Sequence, residues 1–127
     1  MKIVEGGVCA AQGFKAGGIH CGIRKNKTKR ALRMIVSTVP AHAAAVYTTN
    51  LVKGAPLLVT KEHLSDGCAQ AILCNSGNAN TCNADGVEIA QAMCTMAAQA
   101  TGLQPTDIII ASTGVIRQPL PLAPIAA

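Results

Sequence analysis

The tripeptide Ser112-Thr113-Gly114 sets a hydroxyl donor beside a backbone amide that a ligand can approach closely, because Gly114 has no side chain. Two adjacent donors of that kind suit the oxyanion of an acyl-transfer intermediate, while the plainer reading of so short a motif is a turn that ends a strand. A second polar stretch, Asn75-Ser76-Gly77-Asn78-Ala79-Asn80-Thr81, offers amides and hydroxyls but no charge. Asn side chains bond to the backbone and tolerate left-handed conformations. This block therefore reads either as an elaborate turn that caps the following helix or as the polar wall of a site. No complete catalytic set follows from spacing. His20, His42 and His63 share no pattern, neither Ser-His-Asp nor H-E-x-x-H occurs, and the nearest acidic pair, Glu62 and Asp66, falls in a surface turn. Cys9, Cys21, Cys68, Cys74, Cys82 and Cys94 contain no C-x-x-C pair, which argues against a metal site. With no export signal, a disulfide framework is equally unsupported. The default is a buried free thiol in place of a small apolar residue, with Cys74 closing an apolar run and Cys94 on an apolar helical stripe.

Both polar loops follow apolar segments of strand length, Cys68 to Cys74 and Ile108 to Ala111, and loops at the ends of buried strands are favoured positions for sites. Further segments read as strands: Leu32 to Ser37, Ala43 to Thr49 and Pro56 to Thr60, bounded by Pro40, Asn50, Gly54 and Asp66-Gly67. Their quick succession points to antiparallel or mixed pairing. From Asp85 the period changes. Val87, Ala90, Met93, Cys94, Ala97 and Ala100 fall at helical spacing, with Asn83 or Asp85 as the cap, Gly102 past the end and Pro105 preventing resumption. The many alanines imply close packing against another element. Six glycines between residues 6 and 22 predict turns and short extended pieces there. The tail from Pro119 to Ala127 has three prolines and no charge, so it reads as a segment that continues or is covered by another chain.

The chain has 127 residues, 50% hydrophobic and 13% charged, which allows one domain over residues 1–127 and excludes a disordered chain. Its apolar runs reach about ten residues at most where a membrane span takes about twenty, so no membrane role is expected. The start, Met1-Lys2-Ile3-Val4-Glu5-Gly6-Gly7, lacks an apolar h-region, and the chain reads as cytoplasmic. Of the eleven cations behind the net charge of +5, six (Arg24, Lys25, Lys27, Lys29, Arg30, Arg33) lie within ten residues. The plainer reading is a solvated turn and strand start, well separated from the two polar loops; the sharper is a site for an anion such as cofactor phosphates. Nucleic-acid binding normally adds aromatic stacking groups or a motif, and no nucleic-acid partner is expected.

Taken together, the segments resemble the glutamate N-acetyltransferase/ornithine acetyltransferase family of arginine biosynthesis. The matching stretches are Gly13-Phe14-Lys15-Ala16-Gly17 with Gly22-Ile23, and Ile35-Val36-Ser37 through Val39-Pro40-Ala41. They continue in Val46-Tyr47-Thr48-Thr49-Asn50 with Val52 to Pro56, the Asn75 to Asn80 block, and Ser112-Thr113-Gly114-Val115-Ile116. The resemblance implies an α/β sandwich of mixed sheets flanked by helices. It also implies a precursor that cleaves itself before a threonine, this chain being most of the α component of an α2β2 assembly. The implied chemistry is ping-pong acetyl transfer from N2-acetylornithine to glutamate, with acetyl-CoA accepted by many members and no resident cofactor or metal. In it the β-chain threonine is the nucleophile, activated by its own amine, and Thr113 and Gly114 form the oxyanion hole. Three positions depart from the family pattern: Arg117 replaces the motif's second Gly, Arg33 interrupts an apolar strand, and Ala10-Ala11 replaces an Ala-Pro pair. The chain alone lacks the nucleophile. A non-catalytic remnant or assembly partner of the same fold is the alternative, and a small basic nucleic-acid binder, marked by steep salt dependence, is the third reading.

Overall fold

The computed structural model describes residues 3–126. Met1 and Lys2, at the head of the stretch read for an export signal, and Ala127, at the end of the tail, lie outside them. Four strands form one sheet in the order β1-β2-β3-β4: β1 is Phe14–Ile19, β2 Leu32–His42, β3 Cys68–Asn78 and β4 Ile108–Val115. β1 pairs antiparallel with β2 and β2 with β3, whereas β3 and β4 run parallel. The expected mixed sheet is present, and Leu32 and Cys68 open strands as the residue pattern predicts. β2 runs beyond its expected end at Ser37, through Pro40. The register shifts between Val36 and Ala41, and this bulge admits a residue that cannot donate to the ladder.

Two expectations fail on the segments between β2 and β3. Ala43 to Thr49 forms no strand; after the bond from Ala43 N to Gly67 O (2.8 Å) it leaves the sheet. Pro56 to Thr60 belongs to a helix, α1, Ala55–His63. A five-residue apolar run fits either period, and the burial decides: Ala55, Pro56, Val59 and Thr60 are buried while Leu57 and Leu58 are not, which is one helical face. Proline in the first turn costs nothing, because the N–H it lacks has no helical partner there. The helix then covers the free edge of β4. Thr60 Oγ1 donates to Ile110 O (2.9 Å) and accepts from Ile110 N (3.2 Å), and His63 Nδ1 bonds Ile108 O (2.8 Å).

The helix read from period, α2, spans Gly86–Thr101, and Gly102 N closes it on Ala98 O (2.8 Å). Ala90, Met93, Cys94 and Ala97 line its buried face against Ala71, Leu73, Ile108 and Ile110 of the sheet and Val59 of α1. Close packing of the alanine-rich helix is borne out where it meets α1: a Cβ on Gly86 would stand 2.9 Å from Ala55 Cβ. Neither expected cap operates. Asp85 occupies the N-cap position without a side-chain bond to the helix, and the first turn is held instead by Asn80 Nδ2 donating to Gly86 O (2.7 Å).

The described part of the tail packs on the core of this chain. Leu120 is 3% exposed within the core, Leu122 and Ile125 pack against it, and residues Ala123–Ala126 form a short helix, α3. The most exposed large apolar side chains among the described residues lie elsewhere, at Ile3, Val46 and Leu51.

Candidate functional site

Strand direction decides which loops meet. β1 is antiparallel to β2 and β2 to β3, so β1 runs with β3 and β4, and all three end at the same sheet edge. The loop after β1 (residues 20–31), the Asn75 to Asn80 block and Ser112-Thr113-Gly114 therefore converge there, although more than forty residues separate the first from the second. They enclose a cleft of about 730 Å³. Arg24 and Lys25 of the loop, Ser76 and Gly77 of β3, and Thr113 and Gly114 of β4 line it. Among the described residues no carboxylate lines it, so the two cations leave the cleft electropositive. This corrects the expectation that the basic run stands apart from the polar loops. Arg24 and Lys25 belong to the cleft, while Lys27, Lys29 and Arg30 are exposed outside it. Arg24 Nη1 donates to Ser76 Oγ at 3.0 Å.

Ser76 pairs with Thr113 and Gly77 with Gly114 across the parallel strands. Both glycines are fixed by geometry. Gly114 has φ 137, and a Cβ there would collide with Gly77 C and lie 2.6 Å from Asn78 N and Gly77 O. Gly77 has φ 123, and its Cβ would meet Arg24 Cγ at 2.8 Å. The backbones thus approach more closely than any residue with a side chain allows. Thr113 is exposed and its hydroxyl is free to face the cleft, next to the Gly114 amide. A hydroxyl and an amide on consecutive residues, beside a cation and away from carboxylates, can stabilise a developing negative oxygen.

The asparagine block is structural. Asn75, Asn78 and Asn80 are all buried. Asn75 Nδ2 donates to Asn78 O (2.8 Å), and Asn78 Nδ2 to Gln118 O (2.9 Å) and Pro119 O (3.2 Å). Backbone bonds from Ala79 N to Val115 O and from Arg117 N to Thr81 O (both 2.9 Å) strap the segment after Gly114 to the same block. Asn80 bonds both helices, accepting from Ala55 N on α1 (3.1 Å) and donating to Gly86 O on α2. The turn reading does not hold for the first half of this stretch, since Asn75 to Asn78 continue β3; the asparagines bond neighbouring backbone, and only Ser76 and Gly77 reach the cleft. Sequence reasoning missed Arg24 as a lining residue; its place follows from strand direction, for which the loop itself carries no signal.

The ArgJ family model matches residues 15–127, which takes in both long helices and all of the sheet but Phe14 of β1. The chain belongs to the ArgJ family. It is 43% identical over 129 residues to the arginine biosynthesis bifunctional protein ArgJ of Symbiobacterium thermophilum, covering 100% of this chain and 32% of that relative. The ArgJ of Thermosynechococcus vestitus is 46% identical over 121 residues, 94% of this chain and 29% of its own length. The chain thus spans about a third of the length of these curated relatives. Among solved structures, ArgJ from Bacillus halodurans superposes with a TM-score of 0.87 at 40% identity, covering 92% of this chain and 61% of that one. Ornithine acetyltransferase complexed with ornithine, from Mycobacterium tuberculosis, gives 0.82 at 32% identity, covering 92% and 64%. The α/β fold is the one these structures share.

Membership in the ArgJ family gives the three departures a physical setting. Arg117 has φ 57, a left-handed conformation that glycine adopts without strain and an arginine does not. Ala11 has φ −74, close to the value proline enforces. Arg33 lies on the sheet face opposite the helices, beside Cys74 in register. Burial pushes the Cys74 thiol above its ordinary range, and the Arg33 charge partly offsets this. Cys94 is fully buried, and desolvation drives its pKa to about 11.

Proposed function

We propose that this chain supplies the oxyanion hole of an acetyltransferase of arginine biosynthesis that moves acetyl from N2-acetylornithine to glutamate. The observation that carries the proposal is the pair Thr113 and Gly114 at the edge of a cleft lined by cations and free of carboxylates among the described residues. In this reading a threonine that begins a separate β chain is the nucleophile, and its own α-amine, with an ordinary pKa of about 8, accepts the hydroxyl proton. Its oxygen bonds the acetyl carbonyl carbon, and the carbonyl electrons move onto oxygen, where the Thr113 hydroxyl and the Gly114 N–H hold the charge. Collapse breaks the carbon–nitrogen bond, and ornithine leaves with the proton returned from the amine. The α-amine of glutamate then attacks the threonine ester through a second tetrahedral oxyanion in the same hole. Collapse breaks the bond between the acetyl carbon and the threonine oxygen, the proton lost by the attacking amine passes through the threonine α-amine to that oxygen, and N-acetylglutamate departs from the regenerated threonine.

Acetyl transfer is tested by mixing the protein purified from its native gene with N2-acetylornithine and glutamate and following ornithine release. Thr113→Val keeps the shape of an exposed side chain and removes one donor, so turnover falls by about 10²–10³-fold. Intact mass must first establish that the variant has matured to the same chains as the parent. Unchanged turnover in matured Thr113→Val refutes the assignment, and an inactive parent favours the non-catalytic alternative.

A further inference from the structure

The loop after β1 holds Ser76 at two points. Ser76 N donates to Ala31 O (2.7 Å), and Ser76 Oγ accepts from Arg24 Nη1 (3.0 Å). The same loop lies against the next residue. A Cβ on Gly77 would stand 2.8 Å from Arg24 Cγ and 3.2 Å from Ile23 Cγ2, so these two side chains fill the space that a side chain at Gly77 would need. A Cβ on Gly114 would in turn run into Gly77 C and lie 2.6 Å from Gly77 O. The loop, Gly77 and Gly114 thus press on one another in succession. The bonds from α1 to β4 fall at Ile108 and Ile110, three or more residues before Thr113. Past that point the pairing of Ser76 with Thr113 and of Gly77 with Gly114 sets where the two donors stand.

Resting on the reading under Proposed function, we propose that Arg24 is a positioning residue for acetyl transfer. Through Ser76 and Gly77 it fixes the end of β3, and with it the places of the Thr113 hydroxyl and the Gly114 N–H. In this role Arg24 touches neither the oxyanion nor the substrate. It is the one half-buried cation of the basic run, packed along its stem and bonded at its tip, so the side chain is set before any reaction begins. Oxyanion donors act at about 2.7–3.1 Å from the developing charge, and a strand end displaced by about 0.5 Å weakens both together. That charge exists only in the transition state. Loss of the positioning bond therefore lowers kcat and leaves KM in place.

The test uses enzyme already shown to be matured, with N2-acetylornithine and glutamate. Arg24→Met keeps the stem over Gly77 and loses both bond and charge, whereas Ser76→Ala loses the bond and keeps the charge. Each should lower kcat by about 10-fold with KM changed by less than about 2-fold, and the double variant should fall no further than either alone. Arg24→Lys, which keeps a donor at its tip, should recover part of the loss. In a Thr113→Val background Arg24→Met should cost about 3-fold or less, because one of the two positioned donors is already gone. Hydrogen–deuterium exchange needs no activity. The segment over residues 108–116 should exchange about 10-fold faster in both single variants, with α2 unchanged. Unchanged exchange, an effect on KM instead of kcat, or a loss in Arg24→Met that Ser76→Ala does not share overturns the proposal. An inactive parent sinks the acetyltransferase reading, and exchange then decides by itself whether Arg24 fixes the strand end. If Arg24→Met melts well below the parent, Ser76→Ala and Arg24→Lys carry the comparison.

Discussion

Replacing Gly114 by alanine should separate the close strand approach from ordinary backbone strain. A Cβ at residue 114 would lie 2.6 Å from Asn78 N and Gly77 O, whereas ordinary van der Waals contact begins near 3.4 Å. β3 and β4 must therefore part by more than about 0.8 Å where Gly77 and Gly114 face each other, next to the Ser76–Thr113 pair, an overpacking cost of about 1–3 kcal/mol. The φ of 137 adds about 1–3 kcal/mol, because that region is essentially confined to glycine. The expected total is about 2–6 kcal/mol, a fall in melting temperature of at least about 6 °C for a chain of this size. Gly67 provides the control, for its φ is also positive (74) but nothing lies within 4 Å of its Cβ position. Gly67→Ala should cost only about 1 kcal/mol. Thermal unfolding of the two variants followed by circular dichroism gives the difference, which measures the collision itself. If Gly114→Ala is destabilised no more than Gly67→Ala, the strands yield freely there and the close approach does not hold Thr113 in place.

Asn80→Ala removes the donor to Gly86 O at a site with no exposure and leaves alanine in a left-handed conformation. Urea unfolding should show a loss of about 2–4 kcal/mol, and a loss under 1 would mean that the two helices do not depend on this residue. Arg117→Gly relieves the strain of φ 57 but gains unfolded-state entropy, so a net gain of about 0.5–1 kcal/mol is expected, and any destabilisation contradicts the assigned backbone. Cys94 titrates at an ordinary 9.0 when unfolded and at about 11 when folded. Above pH 9 the unfolded chain releases its proton first, so this contribution to stability is whole below pH 9 and is lost as pH rises towards 11. Unfolding free energies of the parent and Cys94→Ala between pH 8 and 11 check this, since parallel profiles would mean that burial does not shift the thiol.

Local periodicity was sufficient for the elements whose neighbours are written into one segment. The spacing of Ala90, Met93, Cys94 and Ala97 yields α2 and its buried face, and the apolar runs from Leu32, Cys68 and Ile108 yield the strands, because side-chain direction along an element follows from its own backbone period. The family, too, was legible in the order of short polar and glycine-containing motifs. Three things needed the tertiary structure. The five apolar residues from Pro56 are too few to express a period, and only the β4 edge, bonded by Thr60 and His63, favours a helix there. The asparagines have the same local chemistry whether they face a ligand or the backbone; the strap from Val115 to Pro119, folded back onto them, settles which. Arg24 looks like any other cation of its run until β1, β3 and β4 are seen to end at one edge. Strand direction is set by pairing between residues far apart in the chain, so no window of sequence around Arg24 could place it beside Thr113 and Gly114.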